Sequence, residues 1–454
     1  MLKKPNIIFY FSDQQRADTC GCYGQELDIT PQLDALAHEG VRFELSFTPQ
    51  PVCGPCRALL QTGQYPTTNG CFRNSIALPL ESQTLGTHFT DAGYETGYVG
   101  KWHLASDGEM EKPPVIDYTD APIPPERRGG YRGYWRASDV LEFTSDGYGG
   151  YIFDEDMNKI EFSGYRADCI TDFALDFLKQ RSKDKPFFLT VSHIEPHHQN
   201  DAHHYQGPIG SKEKFREFPV PGDLEGKEGD YREEYPDYLG ACESVDRNLG
   251  RIIQSLKDEG IYEETIIVFT SDHGSHFRTR NQDDHLNGYD DYKRSGHDAC
   301  LRVPLVIRGG AYKGGMVVKD LVSTASLPKS LLAMAGIPER TPMIGEDLLS
   351  VVEGNPERSN DVFAQISESR VGRVLRTEDY SYGVYAPGKH GGIHPGSREY
   401  EDDYLYDLKK DPYQRDNVMD DPAYQDVKMT LRTRLVERIC EAEYDGVNSM
   451  VRIN

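Results

Sequence analysis

The most informative stretch of the sequence is Pro51-Val-Cys-Gly-Pro-Cys-Arg-Ala-Leu-Leu-Gln-Thr-Gly-Gln-Tyr-Pro66. Pro55 suits the first position of a helix, because its missing N–H costs nothing there, and Thr62-Gly63 is a typical helix end. Cys53 then lies at the helix N-terminus, where free N–H groups and the charge of Arg57 favour a negative ligand. The stretch therefore predicts an anion site beside a cysteine.

Two motifs compete for this stretch. Cys53-Gly-Pro-Cys56 has the spacing of a thioredoxin-type redox pair, in which a helix N-terminus lowers the pKa of the first thiol. The longer string Cys53-x-Pro55-x-Arg57, followed by Ala-Leu-Leu-x-Thr-Gly, instead resembles the signature of type I sulfatases. A third alternative is a buried cysteine in a capped helix, so the rest of the chain has to decide.

Length and charge limit the class of protein. A chain of 454 residues suits one large domain plus a smaller one. The formal net charge of −24 argues against nucleic acid or an anionic membrane as a partner, because both repel an acidic surface. No stretch is long enough to span a bilayer, and the first apolar run is too short for a signal peptide. Since the nine cysteines are scattered and odd in number, we expect a cytoplasmic protein.

Two short apolar runs, Asn6–Phe11 and a second that starts at Thr265, predict buried strands that end in potential metal ligands. If these strands are parallel neighbours, their polar side chains meet at one edge of the sheet. Oxygen ligands with one imidazole suit Ca²⁺, or Mg²⁺ or Mn²⁺, whereas zinc would need thiolates or more histidines. For each run alone, the alternative is a cap or a turn at a strand end. The side chains concerned are Asp13 and Gln14 after the first run, and Asp272 and His273 after the second.

Basic residues lie next to three other predicted strands. A lone lysine or histidine in such a place is most often a solvated surface residue. Together with Arg57, however, these residues would form a positive pocket in an otherwise acidic protein. They are Lys101 and His103 after Gly97–Gly100, His193 and His197 after Pro186–Ser192, and Lys293 upstream of a strand at Leu305.

Segments that resemble the type I sulfatases, within the alkaline phosphatase-like superfamily, follow one another along nearly the whole chain. A thioredoxin accounts for none of them, so the sulfatase interpretation is favoured. Besides the cysteine signature, the segments are Asn6-Ile-Ile-Phe9, Thr30–Gly40, Val99-Gly-Lys-Trp-His-Leu104, Pro196-His197, Thr270-Ser-Asp-His-Gly274, Arg302-Val-Pro-Leu-Val306 and Tyr404–Tyr413.

The resemblance implies a modified nucleophile and a metal. Cys53 would be oxidised to formylglycine by a formylglycine-generating or anaerobic sulfatase-maturating enzyme, and its hydrated aldehyde would be the nucleophile. Arg57 would stabilise that residue. One divalent metal, with Ca²⁺ preferred over Mg²⁺ and Mn²⁺, would be held by Asp13, Gln14, Cys53, Asp272 and His273.

The resemblance also implies residues that contact a small sulfated substrate. His103 would act on the hydroxyl of the nucleophile. His197 would lie beside the leaving-group oxygen, with His193 as the alternative, because the sequence does not fix which ring points inward. The residues matched to sulfate contacts are Asn74, Lys101 and Lys293.

Two departures from the sulfatase pattern keep alternatives open. Gln14 stands where many sulfatases have aspartate, and His273 where many have asparagine, which resembles phosphonate monoester hydrolases and phosphodiesterases of the same superfamily. Lys101 and His103 favour a sulfatase, whose substrate could be an aryl, alkyl or carbohydrate sulfate. The second alternative is an inactive anion-binding protein of this fold, against which the intact Cys53 argues.

The order of predicted elements indicates the architecture. Helical periodicity over Tyr165–Gln180 and Tyr238–Glu259 precedes the strands that start near Pro186 and Thr265, and this alternation is typical of a doubly wound α/β domain. We therefore expect residues 1–354 to form a mixed, mostly parallel sheet flanked by helices. Residues 355–454, with short β-like runs and a closing helix, predict a smaller C-terminal domain of antiparallel sheet plus helix.

Three further expectations concern single segments and assembly. Val322–Gly336 predicts a helix. Asp107–Tyr151 and His198–Asp237 are polar and rich in glycine, proline and tyrosine, so they predict long loops that could form substrate walls. The chain could also form a homo-oligomer.

Overall fold

The computed structural model describes residues 4–108, 115–280, 292–355, 358–444 and 451–454. The strands are β1 (Asn6–Ser12), β2 (Val41–Phe47), β3 (Glu95–Lys101), β4 (Tyr134–Ser138), β5 (Ser145–Asp146), β6 (Gly149–Asp154), β7 (Lys159–Ser163), β8 (Phe187–Ser192), β9 (Thr265–Ser271), β10 (Leu305–Arg308), β11 (Met316–Ser323), β12 (Asp361–Ile366), β13 (Gly372–Thr377), β14 (Tyr380–Tyr385), β15 (Glu399–Asp407) and β16 (Arg452–Ile453). The α-helices are α1 (Pro31–Glu39), α2 (Cys53–Thr62), α3 (Pro66–Asn69), α4 (Leu85–Asp91), α5 (Leu141–Thr144), α6 (Arg166–Gln180), α7 (Ser211–Lys214), α8 (Tyr231–Asp258), α9 (Asp298–Leu301), α10 (Leu327–Met334), α11 (Leu348–Val352) and α12 (Gln425–Glu443).

The main sheet confirms the predicted mixed, mostly parallel architecture. Within the described ranges it has eleven strands in the order β11-β2-β10-β9-β1-β8-β3-β4-β6-β5, and β7 pairs with β6. The centre, from β9 through β1, β8 and β3 to β4, is parallel, whereas β10 runs antiparallel to both of its neighbours. The carboxyl ends of β9, β1, β8 and β3 therefore lie together at one edge.

Helices cover both faces of this sheet. Successive side chains of a strand point to opposite faces, and β1 shows this directly. Ile7 and Phe9 belong to a core with Leu59 of α2, whereas Ile8 and Tyr10 belong to the core on the other face. The second core is closed by α1, α6 and α8 through Leu33, Phe177 and Leu249. Among the described helices, none is long and apolar enough to cross a membrane.

The second sheet confirms the predicted smaller antiparallel unit. Its order is β12-β13-β14-β15-β16, and each pair from β12 to β15 is antiparallel, whereas β16 joins β15 in parallel. Phe363 on one face packs with Leu435 of α12, and Val362 on the other face packs with Phe47 and Leu301 of the main unit. The boundary at residue 354 stays a prediction.

Two predictions about local structure were wrong. Val322 lies in β11, which pairs in parallel with β2, and the helix expected from that residue begins only at Leu327. The β-branched run before it satisfies its hydrogen bonds in the sheet instead. The expected loop Asp107–Tyr151 contains β4, α5, β5 and the start of β6 in its described part. These elements are only two to six residues long, which is too short for a clear periodic pattern.

The helix predicted from Tyr238 begins seven residues earlier, at Tyr231. Pro236 lies inside it, although proline removes one helical hydrogen bond. The rings of Tyr231, Tyr235 and Tyr238 are buried at helical spacing, and their burial outweighs that loss. The long loop expected to end at Asp237 is correspondingly shorter.

The second sheet depends on a buried ion pair. Arg373 of β13 has no exposed surface, and its Nε and NH2 donate to Oε1 and Oε2 of Glu443 in α12 at 2.5 and 3.0 Å. Replacing Arg373 by alanine leaves Glu443 buried without its partner, so we expect the free energy of unfolding to fall by about 3–5 kcal/mol. Chemical denaturation followed by circular dichroism measures this loss.

The matched control is Lys409→Ala in the same unit. Lys409 is exposed and donates to Asp379 at 2.7 Å, and because water screens such a surface pair, its loss should change the free energy of unfolding far less than the loss of Arg373. Equal effects of the two substitutions would contradict the role assigned to the buried pair.

Candidate active site

Polar side chains meet where four parallel strands end. Asp13 follows β1, Asp272 follows β9, and Lys101 is the last residue of β3. Gln14 adopts a left-handed φ of 70°, and its backbone N–H donates to Asp272 Oδ1 at 3.1 Å. The predicted convergence of the two acidic strand ends is therefore present, and Asp13 and Asp272 are both fully buried.

Helix α2 brings Cys53 to this edge. The helix begins at Cys53, with Val52 as its N-cap, so the prediction that Pro55 takes the first position was wrong by two residues. Pro55 still lies in the first turn, where N–H groups have no helical partner. Gly54 donates its N–H to Asn74 Oδ1 at 2.9 Å, and a Cβ at position 54 would lie 2.9 Å from that same oxygen. Glycine thus permits the close approach of Asn74.

The Cys53 thiol faces three groups. Its Sγ lies 3.4 Å from Asp13 Oδ1, 3.2 Å from His273 Nε2 and 3.1 Å from Lys293 Nζ. These contacts join α2 to the ends of β1 and β9 and to the segment that holds Lys293. The predicted nucleophile, metal ligands and sulfate-binding lysine are therefore brought together around one sulfur atom.

The site has donors suited to a divalent cation. One potential ligand atom from each of Asp13, Cys53, Asp272 and His273 lies within 4.8 Å of the others. His273 donates Nδ1–H to Gly274 O at 3.0 Å, which leaves Nε2 for the site. Gln14 Oε1 and Asp272 Oδ2 are buried without a hydrogen bond from any described residue, although Asp272 Oδ2 lies 3.4 Å from Arg57 NH2. Because buried oxygens are rarely left unsatisfied, these residues fit a bound cation.

Two cations hold Asp13. Lys101 Nζ and Arg57 NH2 donate to Asp13 Oδ2 at 2.7 and 2.9 Å. Burial opposes ionisation of Asp13, but the charges of Lys101 and Arg57 keep its pKa below the usual range. Burial and the nearby charge of Asp13 raise the pKa of Asp272. The site therefore holds one firmly ionised carboxylate next to a second whose ionisation a cation would favour.

The field of the site also acts on the cysteine. Burial disfavours the Cys53 thiolate, but Lys101, Lys293 and His273 together lower the pKa of the thiol well below its ordinary value. His103 stabilises the thiolate further through its side chain. The φ of His103 is 60°, and its N–H donates to Asp139 O at 2.7 Å. The sequence thus places an anion-stabilising field around residue 53.

The two candidate histidines have different surroundings. His197 Nε2 lies 2.5 Å from Lys293 Nζ, and its Nδ1 lies 3.4 Å from Glu142 Oε2. His193 packs against the ring of Tyr10 with centroids 4.9 Å apart, and burial lowers the pKa of His193 to about 4. His197, the first choice from the sequence, therefore joins the Lys293 group, whereas His193 lies in the core.

Several residues of the site escaped the sequence analysis. Arg57 NH1 donates to Ser192 Oγ at 2.6 Å. Ser192 is the last residue of β8, so its position at the end of a predicted strand could have identified it. Asp139 follows β4 and accepts the N–H groups of Leu104 and Ala105, but β4 had been taken for a loop. Glu142 lies in α5 of the same misassigned stretch, and no pattern indicated it.

A turn of the second sheet also reaches the site. Glu368 lies between β12 and β13 and is buried with a φ of 64°. Its Oε1 accepts the N–H of Asn74 at 2.7 Å, and its Oε2 accepts Nε–H of Arg294 at 2.5 Å. Ser367 Oγ accepts Nε2–H of Gln50 at 2.7 Å. This turn therefore contacts three loops of the large domain. The sequence of the large domain alone does not indicate these contacts.

Comparison with known families agrees with this geometry. Residues 5–337 match the family model described as Sulfatase. The chain belongs to the sulfatase family. Residues 287–441 also match a model described as N-sulphoglucosamine sulphohydrolase, C-terminal. The resemblance inferred from the sequence is confirmed, and this sulfatase is a sulfuric ester hydrolase.

Relatives cover nearly all of the sulfatase. An ulvan-active sulfatase of Formosa agariphila is 30% identical over 96% of this chain and 81% of its own. An N-acetylglucosamine-6-O-sulfatase of Bacteroides thetaiotaomicron is 26% identical over 96% of this chain and 86% of its own. The crystal structure of a Bacteroides fragilis protein assigned to the sulfatases has a TM-score of 0.83 at 25% identity, covering 99% of this chain and 98% of that one.

The phosphonate hydrolase alternative rests on a more distant likeness. A phosphonate monoester hydrolase of Agrobacterium radiobacter has a TM-score of 0.68 at 21% identity, covering 97% of this chain and 96% of that one. At this identity the likeness shows the fold alone. The family match instead confirms the sulfatase prediction made from Lys101 and His103.

The cation fit generates a direct test. Replacing Asp13 by asparagine removes one carboxylate from the donor group. Loss of a residue that only hydrogen-bonds to a metal ligand already lowers metal affinity about tenfold or more, so we expect at least that loss of divalent-metal affinity here. Calorimetric titration of chelator-treated protein with Ca²⁺ and Mn²⁺ measures the affinity. The control is Asp91→Asn. Asp91 lies on α4 and pairs with Arg340, so its loss should leave the metal affinity unchanged. Unchanged affinity in the Asp13 variant would refute the assignment.

Proposed function

We propose that this sulfatase hydrolyses carbohydrate sulfate monoesters at the group around Cys53, after oxidation of Cys53 to formylglycine. The observation that carries the proposal is the contact of Cys53 Sγ with Asp13, His273 and Lys293 at 3.1 to 3.4 Å. The names of the two curated relatives support a sulfated saccharide as the substrate class. Maturation would require a formylglycine-generating or anaerobic sulfatase-maturating enzyme as a partner.

The metal proposed for this site is one divalent ion, with Ca²⁺ as the first choice and Mg²⁺ or Mn²⁺ as alternatives. Its ligands would be Asp13, Gln14, Asp272 and His273 together with the modified residue 53, and their mainly oxygen donors favour a hard cation. When bound, it would neutralise charge on the sulfate oxygens and on the attacking group. Formylglycine, when hydrated, would supply the attacking hydroxyl.

The cationic side chains supply the remaining charge. Lys101 and Lys293 would bind sulfate oxygens beside residue 53, and Arg57 holds Asp13 in its ionised form. A fixed donor aimed at developing charge contributes about 2.7–4 kcal/mol to transition-state stabilisation. Asn74 accepts Gly54 N–H through Oδ1, so its Nδ2 hydrogens remain to face the bound anion.

Two histidines would move protons. His103, whose side chain stabilises the Cys53 thiolate, would take the proton from the hydroxyl of residue 53. His197 and Lys293, with ring nitrogen and ammonium 2.5 Å apart, share a hydrogen and deliver a proton to the leaving oxygen. Glu142, on the other ring nitrogen of His197, orients that ring. Homo-oligomerisation and a cytoplasmic location stay predictions from the sequence.

Coexpression with a formylglycine-generating enzyme tests the proposal. Peptide mass spectrometry should find the aldehyde at position 53, and the protein should hydrolyse aryl and sugar sulfates in preference to an aryl phosphonate. Cys53→Ala should abolish hydrolysis, whereas Cys71→Ala, at another buried cysteine outside the site, should retain it. Phosphonate turnover alone, or sulfate turnover that survives in Cys53→Ala, would reject the proposal.

The two histidines offer a matched pair of variants. His197→Asn should lower kcat by about 10² to 10⁴ fold, the usual contribution of a positioned proton donor. His193→Asn should retain kcat, because its ring contacts Tyr10 rather than the Lys293 group. An aryl sulfate with a good leaving group should rescue His197→Asn in part, since its oxygen needs no proton. A larger loss of kcat in His193→Asn would reverse the assignment.

A further inference from the structure

A cavity of about 320 Å³ lies between the second sheet and the segment that follows Lys293. Its volume is within the range of pockets that enclose a small ligand. One wall is formed by β13, β14 and β15, and the exposed Asn417 lies at its rim. The side chains that give it chemical character are Arg280, Arg294, His297, Arg370, Tyr404 and Tyr406.

The cavity is positive in a protein that is strongly negative overall. Arg370 pairs with Asp403, and Arg294 pairs with Glu368. Arg280 donates to the carbonyl oxygens of Gln414 and Tyr413 at 2.8 and 3.0 Å, and its Nε is buried without a hydrogen-bond partner among the described residues. Among the described residues no acid pairs with Arg280, whereas Arg294 and Arg370 each pair with one.

The surroundings of His297 show the same positive charge in the cavity. Its Nε2 lies 3.2 Å from Tyr406 OH, and its ring stacks on Tyr404 with centroids 5.2 Å apart. Burial lowers the pKa of His297, and the charges of Arg280 and Arg370 lower it further. Guanidinium groups bind sulfate and carboxylate through paired N–H donors, and aromatic rings offer an apolar surface beside them.

The cavity and the candidate active site share a wall. Arg294 directly follows Lys293, whose Nζ lies 3.1 Å from Cys53 Sγ. Glu368 accepts from Arg294 on one oxygen and from Asn74 N–H on the other, and Asn74 in turn accepts from Gly54. The segment Lys293–Arg294 and the side chain of Glu368 therefore connect the cavity to the residues around Cys53.

We propose that this cavity binds a second anionic group, a sulfate or a carboxylate, on the sugar residue that adjoins the sulfated one. This inference rests on the proposed function, because it extends the same substrate beyond the ester that is cleaved. Arg280 and Arg370 contact the anion, and Arg294 fixes the wall on the side of Lys293. The enzyme then prefers an acidic oligosaccharide over a simple sulfate ester.

The test compares two substrates in matured enzyme. One is an aryl sulfate, and the other is a sulfated disaccharide with a carboxylate on its neighbouring ring. In Arg280→Gln and Arg370→Gln we expect KM for the disaccharide to rise about tenfold, corresponding to loss of one charge-assisted contact. Neither variant should change kcat for the disaccharide or kcat/KM for the aryl sulfate. Thermal unfolding checks that each variant is folded.

Arg340→Gln is the matched control, because Arg340 carries the same charge in an ion pair with Asp91 on α4. This variant should change neither KM nor kcat for either substrate. Equal losses on both substrates in the cavity variants, or no loss in either variant, would overturn the inference.

Calorimetry separates this inference from the proposed function. Binding of the disaccharide to the unmodified protein should weaken in Arg370→Gln even if no sulfate is hydrolysed, whereas an inactive wild type would refute the proposed function alone. Titration with inorganic sulfate tests whether the cavity binds a free anion instead of an anionic group of the substrate. Binding of inorganic sulfate that is lost in Arg370→Gln, without any effect on the disaccharide, would overturn the inference.

Discussion

The structure of the site depends on one buried carboxylate. Asp13 directly follows β1 in the middle of the main sheet, has no exposed surface, and binds both Arg57 and Lys101 through the same oxygen. An ionised group in such a place is tolerated only when it is paired. The pairing fixes α2 and the end of β3 relative to β1, so Cys53 has little freedom to move away from His273. Charge compensation and the placement of Cys53 are thus the same requirement.

Much of this arrangement was predictable because strand ends are visible in sequence. Runs such as Ile7–Phe11 and Ile266–Phe269 are apolar enough to be buried on both faces, and parallel pairing sends the residues after them to one edge. The family resemblance then added roles for Cys53 and Lys293, which composition and periodicity alone do not supply. The fold and the convergence of the site followed from these two sources.

The remainder was not predictable for physical reasons. Whether His193 or His197 faces the site depends on packing against Tyr10, which no local pattern encodes. The strand β4 has only five residues and was not predicted, so nothing in the sequence indicated that Asp139 follows the end of a strand. Glu368 acts across the boundary between two sheets, and contacts of such long sequence separation arise only from the tertiary fold. Cavities lined by several segments, like that around His297, share this limitation.

The turn that carries Ser367 and Glu368 also bears on how members of this family could exchange parts. It hydrogen-bonds to Gln50, Asn74 and Arg294, so the smaller sheet is a structural component of the catalytic edge rather than an appendage. A chimaera that replaced this sheet with one from a relative would have to keep that turn and its three acceptor and donor positions. The rest of the face that meets the main unit is constrained as well, because Val362 packs with Phe47 and Leu301 and Arg376 pairs with Asp298. Exchange of parts is therefore least constrained on the face that packs on α12, since that helix belongs to the same unit as the sheet.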